Sequence, residues 1–308
     1  MTGRKDHLDG RASAILLGCS LFWGFQQVLV KATLPELPPV FQGAVRFVGA
    51  AVLLLAWSRW RGVPLFRRDG SLGAGLLVGL LFAAEMAVVY LGLQRTTASR
   101  LTTFLYTSPF WVALVVPLFV PVERLAPQQW AGLVCAFAAM AFALREGFIH
   151  PDPGVGIAGD LLGLLAGLLW GLTTVAIRAT VVGQLSAEKV FLYQVGVSAL
   201  TLPFVSLALG ETWVWHWSAF AVTSVVLQTT LGACVTMLAW MWLLVHYPAT
   251  RISAFVFLTP IFALVTGALW LHEPVTPSLV LALALVAVGI VLVNRRPAAD
   301  AALANPAR

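Results

Sequence analysis

Long apolar runs separated by short polar breaks dominate the chain, with run centres spaced by roughly one membrane crossing. A helix that crosses a hydrocarbon core of about 30 Å needs roughly 20 apolar residues. On that measure the runs predict helices at 12–33, 38–59, 71–93, 98–120, 127–145, 157–180, 187–209, 217–244, 250–270 and 276–294. The breaks carry residues that stop helices: Pro35, Pro38 and Pro39; Pro64; Pro121 and Pro127; Pro151, Asp152, Pro153 and Gly154; Pro248; Pro274 and Pro277. No soluble domain fits between the runs. The expected fold class is all-α integral membrane with ten transmembrane helices, flanked by short tails at 1–11 and 295–308.

Composition agrees with this pattern. Hydrophobic residues make up 60% of the 308 and charged residues 10%, against about 25% charged in an average soluble domain. The net charge of +6 does not point to nucleic acid, because the basic residues form short clusters between apolar runs rather than one stripe. Positive-inside topology explains them. With a cytoplasmic N-terminus, the inner segments hold Arg4, Lys5, Arg11, Arg59, Arg61, Arg67, Arg68, Arg124, Arg178, Lys189, Arg251, Arg295, Arg296 and Arg308. The outer segments then hold Lys31, Arg95, Arg100 and Arg145, and Arg46 is left inside a span. Fourteen against four predicts a multi-pass protein of the inner (plasma) membrane with both termini cytoplasmic. The basic leader with Arg4, Lys5 and Arg11 runs into a span lacking a small-residue cleavage site, which reads as a retained first helix. Cys19, Cys135 and Cys234 all fall in apolar runs and behave as small hydrophobes, so no disulfide, metal or cofactor is expected.

The chain repeats itself. At an offset of 147, Leu17, Trp23, Gly24, Val28, Ala32 and Thr33 return as Leu164, Trp170, Gly171, Val175, Ala179 and Thr180. At an offset of 151, the stretch from Arg100 and Phe104 to Ser108, Pro109 and Phe110 meets Arg251, Phe255, Thr259, Pro260 and Ile261. Glu123 and Pro127 then meet Glu273 and Pro277. The halves are 12–146 and 157–294. Five helices per half is an odd number, so the second half enters the membrane from the opposite face. Such inverted repeats give a pseudo-two-fold axis in the membrane plane and are the geometry of alternating access.

The segments Leu21-Phe-Trp-Gly24, Arg46, Thr97-Ala-Ser-Arg100, Ser108-Pro-Phe110 and Glu123-Arg-Leu125, with Leu169-Trp-Gly171, Ala249-Thr-Arg251, Leu258-Thr-Pro260 and Leu271-His-Glu-Pro274, resemble the drug/metabolite transporter superfamily. Within it, the chain is most similar to the EamA-like ten-helix exporters, over about 12 to 294. The resemblance implies a basket of helices around a central cavity lined by the first four helices of each half. It also implies outward movement of amino acids, related metabolites or drugs without ATP. This chain departs from the simplest pattern in carrying Glu85, and its Leu-His-Glu-Pro lacks the Gly often seen before that Glu.

An ionised group in hydrocarbon faces a cavity or a partner, because stranding it costs a few kcal/mol or more. Arg46 and Glu85 both lie roughly 12 Å inside their helices at 1.5 Å per residue and are expected to pair. Such a pair either locks helices 2 and 3 together, grips a substrate carboxylate, or cycles a proton through Glu85. Gln26, Gln27, Tyr90, Thr103 and Tyr106 lie at similar depth and suit an outer polar cavity, or helix–helix hydrogen bonds. Thr173, Thr174, Tyr193 and Gln194 mirror them toward the cytoplasm. Trp23 and Trp170 sit near mid-span, as cavity walls or as packing beside Gly24 and Gly171. Trp213, Trp215, Trp217, Trp240 and Trp242 read as interfacial anchors. Pro109 and Pro260 predict matched kinks, as hinges or as static bends, and Glu123 and Glu273 predict caps or gate contacts at helix ends.

These features favour a secondary transporter that exports small metabolites, with a small-molecule substrate, the lipid bilayer as its other partner, and a monomer or homodimer as its state. Nucleotide-sugar or phosphometabolite exchange would call for more cavity cations than Arg46 and Lys31. A non-transporting membrane receptor or partner is a further class. An enzyme is not expected, since no catalytic constellation or Gly-rich phosphate loop is present.

Overall fold

The computed structural model describes residues 9–119, 157–246 and 258–294, with isolated positions between 127 and 142. Most of both tails, most of the helix expected over 127–145, the start of that over 250–270, and Glu123 lie outside the described residues. The helices are α1 (Gly10–Thr33), α2 (Pro39–Arg61), α3 (Leu72–Leu93), α4 (Ala98–Leu105), α5 (Ser108–Phe119), α6 (Ile157–Ala179), α7 (Ala187–Ala208), α8 (Ala219–Leu227), α9 (Thr236–His246), α10 (Leu258–Trp270) and α11 (Pro277–Asn294). A widened π-helical stretch, Gln228–Val235, joins α8 to α9, and a short 3₁₀ turn, Val181–Gln184, follows α6. Among the described residues, six spans are long and apolar enough to cross a membrane, one of them running from Ala219 to Trp240.

Two expectations about helix continuity are corrected. The run over 98–120 is not one kinked helix, because the chain breaks at Tyr106 and Thr107 and restarts at Ser108. Pro109 is therefore the second residue of α5, where its missing N–H would have had no helical acceptor anyway. The run over 217–244 widens in its middle, a local change of pitch that hydropathy does not register.

Polar starts set the helix boundaries. Asp9, Thr97, Ser186 and Ser218 each accept a hydrogen bond from a backbone N–H in the first turn of α1, α4, α7 and α8, satisfying donors that the helix leaves orphaned. Gly62 ends α2 in the left-handed conformation, φ 67°.

Buried polar groups lie beside an apolar core, and the outside of the bundle is apolar. Leu72, Leu76 and Leu80 on α3 and Leu200, Phe204 and Leu207 on α7 form exposed apolar stripes, whereas Gln42, Arg46, Glu85, Arg100, Asp160 and Ser198 are buried. A soluble fold reverses that arrangement; lipid permits it, because tails solvate leucine as well as a core does.

Helix approach depends on small residues. Along α6, Gly159, Gly163, Gly167 and Gly171 recur every fourth position; Gly159 faces the turn at Arg95 and Thr96 and the other three face the α4–α5 span, where a methyl group at Gly167 would lie 2.6 Å from Thr107 Oγ1, and one at Gly171 2.7 Å from Trp111 Cβ and 3.3 Å from the Ser108 carbonyl oxygen. On α1, a methyl at Gly24 would lie 2.6 Å from the Thr259 carbonyl oxygen of α10. Gly24 on Thr259 and Gly171 on Ser108 are the same contact made twice, between residues that the two sequence offsets had already paired. The α2–α7 and α3–α7 contacts also join the two stretches of chain.

Candidate functional site

Arg46 sits at the centre of a polar chain that crosses the bundle. Its Nη2 donates to Gln26 Oε1 at 3.2 Å and its Nη1 to Tyr90 Oη at 3.4 Å. Tyr90 Oη donates to Gln228 Oε1 at 3.3 Å, Gln228 Nε2 to Ser224 Oγ at 2.9 Å, and Ser224 pairs with Thr33 at 2.6 Å. The Thr33 hydroxyl donates to its own helix at Leu29 O, so the protons run in one direction from Arg46 to α1. Four spans contribute: α1, α2, α3 and the joint between α8 and α9. Gly232 leaves the room that the Gln26 amide occupies, and Gly43 lets the Tyr90 ring lie 3.1 Å from where a side chain would begin.

The expected pairing of Arg46 with Glu85 is absent. Both hydrogen-bonded partners of Arg46 are neutral, its Nε has no partner, and Gln42, one turn earlier on α2 and fully buried, has neither amide atom bonded. The reason is helical phase. Glu85 and Tyr90 are five residues apart on α3, which at 3.6 residues per turn separates them by about 140° around the axis. Tyr90 faces α2, and Glu85 faces the α4–α5 break.

Glu85 belongs to a second polar region. It is buried and its Oε2 has no hydrogen-bond partner; Tyr106, which also lies beside Thr259, is close by. The Tyr106 ring meets Trp170 edge-on at 5.3 Å. Tyr106 from the α4–α5 break thus lies near the Glu85 carboxyl of α3, with Trp170 of α6 and Thr259 of α10 against the tyrosine.

Other expected site residues fall elsewhere. Trp23 Nε1 donates to Thr236 Oγ1 at 2.9 Å and its ring meets Trp240 at 5.6 Å, so it packs α1 on α9. Thr103, Thr173 and Thr174 donate to carbonyls one turn back in their own helices, a usual way for threonine to satisfy itself in a helix. Tyr193 shares a 2.9 Å hydrogen bond with Ser71. Gln27 and Gln194 are half-buried and join neither polar region. Trp213 stacks on Phe41 at 5.4 Å and Trp217 meets it edge-on. Pro260 is buried in the first turn of described α10.

The two ends of the bundle hold the remaining charges. At one end Arg100 and Asp160 form a buried ion pair, Nη2 to Oδ2 at 2.5 Å, with Arg100 Nε also donating to Asp160. Thr96 donates to the same carboxylate, and Lys31 Nζ donates to the carbonyls of Leu93 and Thr96. Glu273 caps α4, accepting from Ala98 N at 2.6 Å and from the Ser99 N–H and hydroxyl. Glu211 caps α2 through Val40 N and Phe41 N, and Glu36 accepts from Ser218 at the start of α8. Each of these three carboxylates joins a residue before 119 in the chain to one after 210. His272, just before Glu273, has φ 52°, a left-handed backbone that glycine adopts without cost.

At the opposite end Lys189 Nζ bonds Asp69 Oδ2 at 2.6 Å and the Arg67 carbonyl at 2.7 Å. The Lys189 ammonium, with the Ser71 hydroxyl, holds the Asp69 carboxyl down to about 2.

Asp160, Gln42 and Gln228 were not singled out from the sequence. Asp160 could have been: it is an acid opening an apolar run. Gln42 and Gln228 carry no such signal, since a glutamine in a span is as often a helix–helix bond.

Among the described residues no cluster of three or more His, Cys, Asp or Glu could hold a metal. Comparison with known proteins agrees with the architecture. The family model of the "EamA-like transporter family" matches twice, over residues 11–145 and 157–295. The transporter YoaV of Bacillus subtilis is 25% identical over 279 residues, covering 89% of this chain and 94% of that one. YvbV, a transporter of the same organism, is 25% identical across 96% of this chain and 95% of its own length. The inner membrane transporter YedA of Escherichia coli K12 is 23% identical over 91% of this chain and 89% of its own. A solved crystal structure superposes with a TM-score of 0.65 at 19% identity, covering 92% of this chain and 96% of that chain, a likeness of fold. With the family model matched over both stretches of a helical membrane bundle, this chain belongs to the EamA-like transporter family.

Proposed function

We propose that this protein is a secondary transporter that exports small amphipathic metabolites, amino acids and their relatives among them, across the inner membrane by alternating access. In this reading the ten spans form two inverted five-helix halves, both termini are cytoplasmic, and transport is linked to protons through Glu85. The observation that carries it is the doubled contact, Gly24 on Thr259 and Gly171 on Ser108. A contact made twice by matched residues lets one half adopt the packing of the other, and exchanging the two packings moves access from one face to the other. Glu85 supports the coupling: it is a buried carboxyl with one unbonded oxygen inside a span, the kind of group that proton relays in membrane proteins use.

The test is flux in proteoliposomes under an imposed pH gradient, with solutes first selected by thermal shift on purified protein. The wild type is expected to concentrate a solute in response to the gradient, and Glu85→Gln to keep binding and lose the pH response. Flux with an unchanged pH profile in Glu85→Gln removes the proton link; no flux of any stabilising solute removes transport.

A further inference from the structure

The α2 helix and the joint between α8 and α9 touch and then part. A methyl group at Gly49 would lie 3.0 Å from Thr229 Cγ2, so the two spans are in contact there. One turn further along α2, a cavity of about 290 Å³ lies between Leu53 and Trp57 of α2, Phe191 of α7, and Thr230, Cys234 and Leu238 of the joint. The polar chain around Arg46 takes no part in this lining. Leu53 and Val235 in the wall are also exposed on the outside of the bundle, so the cavity is continuous with the lipid-facing surface. From Thr230 to Leu238 it follows the span for about 12 Å at 1.5 Å per residue.

Charge is confined to one end of this space. Thr230 spends its hydroxyl on the Val226 carbonyl of its own helix at 2.7 Å, which leaves the deep wall apolar. Glu188, in the first turn of α7, is the charged residue of the lining. That turn lies at the end of the span, since the next residue, Lys189, bonds the Arg67 carbonyl and Asp69 beyond the end of α2. Trp57, another wall residue, carries the guanidinium of Arg61, the last residue of α2, over its ring at 5.7 Å. The ion pairs among the described residues, Arg100 with Asp160 and Lys189 with Asp69, use neither Glu188 nor Arg61. The mouth of the cavity therefore offers one acid in its lining and one base stacked on that lining, and the two do not pair with each other.

An apolar recess facing hydrocarbon takes up hydrocarbon. Left empty, its walls forfeit dispersion contacts, and water would find too few polar partners along them. The mouth decides which chain enters. A phosphate accepts from a guanidinium, and a primary ammonium donates to a carboxylate. A phospholipid without an amine would set its negative head beside Glu188 with nothing to offset it, and a choline head has no N–H to donate.

We propose that this cavity is a binding site for a phospholipid with a primary-amine head group, phosphatidylethanolamine, taken from the surrounding bilayer. One acyl chain lies along the wall from Trp57 to Thr230, the phosphate meets Arg61, and the ammonium meets Glu188. The site goes beyond the transport reading and stands whatever the cargo is.

The experiment is native mass spectrometry of full-length protein, stripped of lipid in detergent and titrated with phosphatidylethanolamine, phosphatidylcholine and phosphatidylglycerol of identical chains, and with dodecylamine. Phosphatidylethanolamine is expected to bind about three- to fivefold tighter than either other phospholipid, the size that one partly exposed charge pair supplies. Glu188→Gln is expected to erase that advantage while phosphatidylcholine binds as before. Arg61→Gln is expected to weaken all three phospholipids alike and leave dodecylamine unchanged. Cys234→Phe, which fills the cavity, is expected to weaken the first bound phospholipid several-fold, and Leu238→Trp fills it from the α9 side if Cys234→Phe does not fold. Equal binding of the three phospholipids, an advantage kept in Glu188→Gln, or affinity unchanged by filling the cavity overturns the assignment. Dodecylamine binding as tightly as phosphatidylethanolamine, with Arg61→Gln without effect on the lipid, also overturns it and makes the recess a site for cationic amphiphiles. Loss of flux with lipid selectivity intact overturns transport and leaves this site standing.

Discussion

The two ends of the bundle are closed by different chemistry. At the Lys31 end, Arg100 is 2% exposed and Asp160 fully buried, and Glu273 caps α4 at 7% exposure. At the Lys189 end, the pair is Lys189 at 9% and Asp69 at 30%. Separating the first pair strands both charges in low dielectric; separating the second leaves the Asp69 carboxylate open to water and Lys189 still held on the Arg67 carbonyl. A buried pair broken by losing one partner costs about 3–5 kcal/mol, whereas an exposed pair is worth about 0–1 kcal/mol. The Lys189 end is therefore the cheaper to open.

The sharpest way to break this contrast is Asp160→Ala, which leaves Arg100 buried without its acid. Thermal unfolding in detergent is expected to show a loss of about 3–5 kcal/mol, and the double change Arg100→Met with Asp160→Leu a much smaller one. Equal losses would mean that the pair's burial is not what holds that end.

Next in size is Glu273→Gln, which keeps the shape of the α4 cap and removes its charge. A loss of about 1.5–3 kcal/mol is expected from unfolding. If the cap also holds the end shut, a cysteine introduced at Ser99 becomes reactive to a membrane-impermeant maleimide in that variant and stays protected in the wild type.

His272→Gly should go the other way. Relieving a left-handed non-glycine residue is worth about 1–2 kcal/mol, reduced by the extra freedom of glycine in the unfolded chain, so a small rise in melting temperature is expected.

The smallest effect belongs to Asp69→Asn. The Asp69 carboxyl is held down in the folded protein, from 3.8 to about 2, so its contribution is complete above about pH 4 and is lost as pH falls toward 2. Asp69→Asn is therefore expected to cost a small amount, the worth of a partly exposed pair, that stays constant between pH 5 and 8, and the two proteins should converge by pH 2 in a melting series. A large change at neutral pH would put the two ends on an equal footing.

Much of this molecule was legible as pattern. The repeated Trp-Gly and Ser/Thr-Pro segments were visible at fixed offsets, and the helices bring those same segments into contact. Arg46, Glu85, Tyr90 and Tyr106 stood out because polar groups in apolar runs need partners. What could not be read was which partner each would have. Arg46 and Glu85 share a depth, and depth is a one-dimensional quantity; helical phase turns them to different neighbours. Gln42 and Gln228 became part of the site through the same phase. Glu273 was expected at a helix end, yet that it caps α4 rather than α10 depends on which loop lies over which helix start.

Hydropathy along the chain was enough to make this a membrane protein, because the cost of placing polar residues in lipid is set residue by residue. The breaks at Tyr106 and Gln228, the neutral surroundings of Arg46, and the unequal burial of the two end clusters were decided only by packing. Those properties depend on side chains from four or more spans meeting at one point, and no single stretch of sequence contains that information.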